Sequence, residues 1–255
     1  MRNLNGLKFF SSPLFGEGVV HGFLTRLGGV SAPPYEGLNF DARDTDPREN
    51  VDENRSRFFS AFGVERLITV SQVHGSSVFR LEGGLSASPP EADAIVTNVS
   101  GVAIGMLTAD CLPVLIYDPV KNAIGAVHAG WKGTALGVTI NAVKEMTRAF
   151  GSRPRDLVAA LGPSIGPCCY KVGDNLQDEF RKNGRTLESF ISLEDGLRLD
   201  LGAENLSQLL SLGVPEKHIS GSAPCTSCAA DFFSYRRDGG RTGRQLSFIM
   251  LREPM

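Results

Sequence analysis

No stretch of the chain approaches the ~18 consecutive apolar residues of a membrane span, and the opening segment MRNLNGLKFFSSPLFGEG never sustains the apolar core of a signal peptide. A cytoplasmic protein without a membrane partner is therefore expected. Runs of one charge are also missing. The 26 Lys and Arg residues are scattered among 28 Asp and Glu, for a net charge of −2, so the electrostatic footprint of a nucleic-acid partner is absent. Cysteine is sparse and odd in number: there are five, two of them adjacent at Cys168 and Cys169, which makes a poor disulfide framework. In a reducing compartment such thiols either fill a core or do chemistry.

What is present suits one enzyme-sized globular unit spanning residues 1–255, with 42% apolar residues and neither an internal repeat nor a low-complexity linker. Strand-like runs alternate with a few helical ones, so the expected class is α+β, with mixed sheets and helices packed outside. Residues 19–25 read as a strand opening into the turn Arg26-Leu27-Gly28-Gly29, residues 46–62 as a helix begun by Pro47, and residues 67–73 as a strand delivering His74. Between 94 and 130 lie four short, nearly continuous apolar runs split by turn residues, the pattern of strands buried on both faces. From Leu136 through Ile140, Val143, Met146 and Phe150 the period changes to 3.6, predicting a helix over 135–150 ended by Gly151. A strand at 157–161, helices near 173–182 and 200–212, and a last strand at 245–251 complete the pattern.

Three polar residues stand at the ends of buried runs, where burial without partners is costly: His74, Cys111 and His128. The runs around Cys111 and His128 predict two strands joined by a turn at 118–122, which returns both residues to one sheet edge. A thiolate with two imidazoles is a good zinc set, and three protein ligands leave a fourth position open, as in catalytic sites. Two other readings remain open on spacing alone. The histidines could be hydrogen-bonded core residues, or Cys111 could be the nucleophile of a hydrolase or amidase with His128 as its base. Gly130-Trp131-Lys132-Gly133-Thr134 before the helix, Arg26 beside Gly28 and Gly29, and Arg236-Arg237 near the end are candidate anion contacts. Cys225 and Cys228 form half of a zinc knuckle with no second C-x-x-C to complete it, and they read, like Cys168 and Cys169, as packing residues.

Taken together and in order, Gly22-Phe23-Leu24-Thr25-Arg26-Leu27-Gly28-Gly29, Gly37-Leu38-Asn39-Phe40, Glu53-Asn54-Arg55, Gln72-Val73-His74-Gly75, Ala92-Asp93-Ala94, Thr108-Ala109-Asp110-Cys111, Val127-His128-Ala129-Gly130-Trp131, Gly162-Pro163-Ser164-Ile165-Gly166 and Phe233-Ser234-Tyr235-Arg236-Arg237 resemble the YfiH, or laccase-domain, family over nearly the whole chain. The resemblance implies a single α+β laccase-domain unit with zinc on His74, Cys111 and His128. It also implies phosphorolysis of purine nucleosides (adenosine, inosine, guanosine, methylthioadenosine) to base and ribose 1-phosphate, with adenosine deamination as a second activity. Arg26, Asn39, Arg55, Asp110 and Lys132 are the residues it suggests for substrate or phosphate. Two departures stand out: Lys132 occupies a position where Arg is common, and so lacks the bidentate fork, and Phe40-Asp41-Ala42-Arg43-Asp44 is less Gly-rich than usual. Copper could occupy an N/S site in vitro, but a multicopper polyphenol oxidase needs many imidazoles, and this chain has four histidines and no H-x-H pair.

Overall fold

The computed structural model describes residues 1–42, 45–83, 89–221 and 224–253; Arg43 and Asp44, in the less Gly-rich stretch, lie outside the described residues. In chain order the regular elements are β1 (Arg2–Leu4), β2 (Leu7–Phe10), β3 (Val19–Leu24), α1 (Arg48–Phe62), β4 (Leu67–Ile68), β5 (Val78–Leu81), β6 (Ala94–Thr97), β7 (Ala103–Thr108), β8 (Leu112–Asp118) and β9 (Ala123–Ala129). They continue with α2 (Trp131–Leu136), α3 (Val138–Phe150), β10 (Val158–Leu161), α4 (Asn175–Lys182), β11 (Phe190–Leu193), β12 (Gly196–Leu199), α5 (Leu201–Ser211), β13 (Ile219–Gly221) and β14 (Gln245–Leu251).

The strands form two mixed six-stranded sheets, ordered β1-β2-β3-β14-β7-β4 and β13-β10-β8-β9-β6-β5, with β11 and β12 as a separate hairpin. Side-chain alternation along each strand decides which face meets what. In β14, Ile249 and Leu251 join a cluster with Met106, Leu115, Ile124 and Ala126, which fills the space between the sheets. Leu246, Phe248 and Met250 of the same strand point the other way, onto Phe58 and Phe62 of α1. In β8, Leu115 and Tyr117 face the inter-sheet core, whereas Leu112, Val114 and Ile116 meet Val138, Ala142, Val143 and Met146 of α3. The result is a layered α+β sandwich: α1, first sheet, second sheet, then the remaining helices. The four central strands are therefore buried on both faces, which is why they read as continuous apolar runs.

Two expectations are corrected by local chemistry. The strand expected over 67–73 pairs with β7 as a strand at Leu67–Ile68, and Ser71 adds a single bridge to Glu91; beside β7 the side-chain amide of Gln72 takes over from the backbone. Its Nε2 donates to the Leu107 carbonyl at 2.8 Å, and its Oε1 accepts from the Leu107 amide at 2.9 Å. The helix expected over 135–150 is two helices, broken where Gly137 adopts φ +80°. A Cβ at that glycine would meet the Arg185 guanidinium, whose Nε donates to the Ala135 carbonyl at the end of α2. The break takes Leu136 off the buried face of α3 and leaves it partly exposed.

Phe58 is fully buried, with Phe248 and Phe40 edge-on at 4.7 and 5.9 Å. Phe58→Ala is expected to cost about 3–5 kcal/mol of stability, measured as a lowered denaturant midpoint.

Candidate metal centre

The site forms where the chain leaves the first sheet at the end of β7 and enters the second at the start of β8. The connection Ala109-Asp110-Cys111 is three residues long, and Asp110 makes the turn with φ +89°. Cys111 thereby stands at the foot of β8. Register then brings His128 beside it, since Leu112 pairs with Ala129 and Pro113 with His128 in the β8–β9 hairpin.

His74 arrives from the other side, on the loop after β4. It adopts φ +58°, a left-handed conformation that turns successive amides inward. The N–H groups of Val73, His74 and Gly75 all donate to the carboxylate of Asp93, at 3.3, 3.0 and 2.6 Å. Asp93 itself sits fully buried just before β6, and its Oδ1 lies 2.8 Å from Nδ1 of His128. Burial pushes its pKa up, but the bonds from His128, Gly75 and His74 outweigh that and hold it below the usual carboxylate range. One carboxylate thus positions both histidines and fixes the His128 ring so that Nε2 is left for other partners.

Ligand-capable atoms of His74, Cys111 and His128 all lie within 4.8 Å of one another, and the two imidazole rings meet edge-on at 4.9 Å. The set is mixed nitrogen and sulfur, with a carboxylate behind one imidazole, and these residues could hold a metal. Without a metal the same groups form a charge pair. Burial raises the Cys111 thiol, but the charge and hydrogen bond of His128, followed by those of His74, bring its pKa down to about 6. Burial lowers His128, yet the Cys111 thiolate and Asp93 push it up to about 9. Gly130 leaves the sulfur its room: a Cβ there would stand 2.9 Å from Cys111 Sγ and 3.3 Å from the His74 ring.

The three residues open into a cavity of about 650 Å³, large enough for a small organic ligand. Its wall includes Thr108, Trp131, Tyr170, Tyr235, Arg236 and Arg244. Of the other residues singled out from sequence, Asp110 lines this cavity, and its carboxylate accepts from Thr226 Oγ1 at 2.6 Å and from the Arg236 amide at 2.7 Å.

Arg26, Asn39, Arg55 and Lys132 are not among the lining residues. Arg26 stacks over Phe233 and donates to the Glu36 carbonyl at 2.9 Å. Asn39 is fully buried and knots the Asp41, Asp46 and Arg244 segments together through its amide. Arg55 is half-buried on α1, where burial lowers its pKa. Lys132 is exposed on α2. The remaining histidines are engaged away from the cavity. His21 Nε2 accepts from the Ser12 amide at 2.9 Å and burial lowers its pKa to about 4, while His218 Nδ1 lies 3.2 Å from the Leu157 carbonyl. Sequence reasoning gave no role to Asp93, Tyr170 or Arg244. Asp93 carried one usable signal, an acid directly before the wholly apolar run Ala94-Ile95-Val96, which has to find buried donors.

A family model described as multi-copper polyphenol oxidoreductase laccase matches residues 20–252. The chain is 42% identical to a protein of Deinococcus radiodurans named purine nucleoside phosphorylase, covering 91% of this chain and 89% of that protein. It is 38% identical to the purine nucleoside phosphorylase YfiH of Escherichia coli, covering 92% and 95%. Among solved structures, YlmD from Geobacillus stearothermophilus superposes with a TM-score of 0.92 at 36% identity, covering 99% of this chain and 98% of that one. The Bacillus licheniformis hypothetical protein YfiH gives 0.88 at 36%, covering 92% and 93%.

Asp93→Asn keeps the shape but trades an acceptor oxygen for a donor facing donors. It is expected to weaken metal binding roughly 10- to 100-fold, measured by competition with a chelating dye. In metal-stripped protein, Cys111 should alkylate with a half-maximal rate near pH 6, read by mass spectrometry of its peptide. His128→Ala should move that midpoint upward.

Proposed function

The chain belongs to the multi-copper polyphenol oxidoreductase laccase family, and within it we propose that this protein is a zinc-dependent purine nucleoside phosphorylase, with adenosine deamination as a second activity of the same site. The observation that carries this reading is the open three-residue N/S cluster at the floor of a cavity walled by aromatic rings and two guanidinium groups.

Phosphorolysis joins a phosphate oxygen to C1′ of the ribose as the bond from C1′ to the purine nitrogen breaks, and the purine leaves with that electron pair and takes up a proton. The chain's own residues meet these needs in three ways. Trp131, Tyr170 and Tyr235 offer flat apolar faces to a purine ring. Arg236, one of the candidate anion contacts in the sequence, and Arg244 bring positive charge into the cavity, so we assign the anion role to them in place of Arg26 and Lys132. Arg236 is aimed by Asp110 through its amide, and its NH1 donates to the Lys171 carbonyl at 3.1 Å. Tyr170 remains a neutral phenol, since burial and the nearby Cys111 thiolate raise its pKa, and it can therefore donate a hydrogen bond. Thr108 is a lining residue, and its hydroxyl is buried without a partner among the described residues. A zinc held by His74, Cys111 and His128 supplies Lewis acidity beside these groups when bound.

Polyphenol oxidation by several coppers fits this chain poorly, because two of its four histidines are committed elsewhere. A hydrolase using Cys111, His128 and Asp93 has one observation in its favour, the ordered Cys-His-Asp line. The second imidazole, His74, on the same sulfur favours a ligand set over a nucleophile and its base.

Purified protein is expected to convert adenosine to adenine and ribose 1-phosphate only when phosphate is present, and to inosine and ammonia without it, followed by chromatography. His74→Ala should lose both activities by at least ~100-fold together with the bound zinc. Turnover that ignores chelators and phosphate but dies on Cys111 alkylation would assign the hydrolase instead.

A further inference from the structure

The half-knuckle Cys225-x-x-Cys228 has no matching pair in sequence, but the fold supplies one. Cys168 and Cys169, almost sixty residues earlier, turn back onto it, and the ligand atoms of all four lie within 4.8 Å of one another. Cys228 Sγ is 3.6 Å from Cys168 Sγ and 3.3 Å from Cys169 Sγ. These separations are far beyond the ~2.05 Å of a disulfide. They approach the roughly 3.8 Å edge of a tetrahedron with ~2.3 Å metal–sulfur bonds.

We propose that Cys168, Cys169, Cys225 and Cys228 form a second metal site, a closed tetrathiolate that binds zinc and ties two walls of the cavity together. Four thiols release four protons to solvent as the ion binds, and no oxidant or reductant is required. Backbone donors are already aimed at the sulfur that would carry charge: the Gly166 amide lies 3.2 Å from Cys225 Sγ, and the amides of Ser227 and Cys228 also donate to it. Cys168 and Cys228 are exposed, which gives an ion a path in.

The backbone around the thiols is pre-shaped. Cys169 and Tyr170 both donate to the Gly166 carbonyl, at 3.0 and 2.9 Å, closing the turn that presents the first pair. The Thr226 amide donates to the Ser164 carbonyl at 3.0 Å, which lays the knuckle alongside that turn. The two joined segments also supply Ile165, Tyr170, Tyr235 and Arg236 to the cavity, and an Arg236 NH1 donates to the Cys169 carbonyl at 3.3 Å. The site is distinct from the His74 cluster in ligand type, in having all four positions filled by protein, and in structural rather than catalytic character.

The full-length protein, reduced and stripped of metal, would be reloaded anaerobically with zinc or cobalt and its metal content and absorption measured. Wild type should bind about two ions per chain, one of them giving the intense sulfur-to-cobalt bands of a four-thiolate tetrahedral site. Cys225→Ser/Cys228→Ser should lose about one ion and those bands, while His74→Ala should keep the bands and lose the other ion. Zinc should also protect the four thiols from alkylation, peptide by peptide, a wild-type measurement that holds even where the double variant fails to fold. Cobalt protein without thiolate bands and with these cysteines equally reactive with and without zinc overturns the proposal. So does the recovery of disulfide-linked peptides from anaerobically purified protein, which would make the cluster a redox pair.

Discussion

The geometry of the whole site depends on one buried carboxylate. Asp93 accepts three backbone amides from the His74 loop and faces the His128 ring nitrogen, so the positions of two ligand-capable groups on different segments are fixed by the same pair of oxygen atoms. Inside the protein those bonds are worth more than in water, and leaving any of the donors unmatched would cost about 1–3 kcal/mol each. The carboxylate in turn is tolerable in the core only because all these donors converge on it. Site and support therefore form or fail together.

The two sheets set the rest. A mixed site between stacked sheets needs a strand pair that changes layer, and the three-residue passage from β7 to β8 does this at the cost of a non-glycine residue in the left-handed region, Asp110. That strain is offset locally. The Asp110 carboxylate binds Thr226 and the Arg236 amide, and its carbonyl accepts from the Ile165 amide at 2.9 Å. The residue therefore ties the layer-crossing turn to both segments that form the cavity wall. The sequence marks Asp110 as a polar residue of the site, and in the fold it lines the cavity while its carboxylate also holds Thr226 and the Arg236 backbone.

Much of the fold was legible because strands buried on both faces write themselves as unbroken apolar runs, and β6 to β9 stand where those runs stand. His74, Cys111 and His128 were legible for the complementary reason, as polar residues ending such runs. The relations that defeated sequence reading are those that cross the chain. Gln72 replaces strand backbone with a side-chain amide, Arg185 seals a helix break at Gly137 from nearly fifty residues away, and Arg244 reaches the cavity from the start of the last strand. Arg26 and Asn39 look functional because both are polar residues in recognisable motifs, yet each is absorbed in holding loops, through a stacked Phe233 and through a buried amide knot. Spacing cannot separate a residue that holds a loop from one that the loop holds out to a ligand.

The five cysteines show how the same element takes two roles through its surroundings. Cys111 sits beside two imidazoles with a cavity on the open side, so an ion held there would keep a fourth position for a ligand. The other four face one another, with the Gly166 amide donating to Cys225, an all-sulfur set that favours a closed structural unit. The two clusters are bridged by Tyr170 and Arg236, which follow or contact the thiol turn on one side and line the cavity on the other. A change in the thiol cluster would therefore act first on how the cavity holds its ligand, and only through that on the chemistry at Cys111.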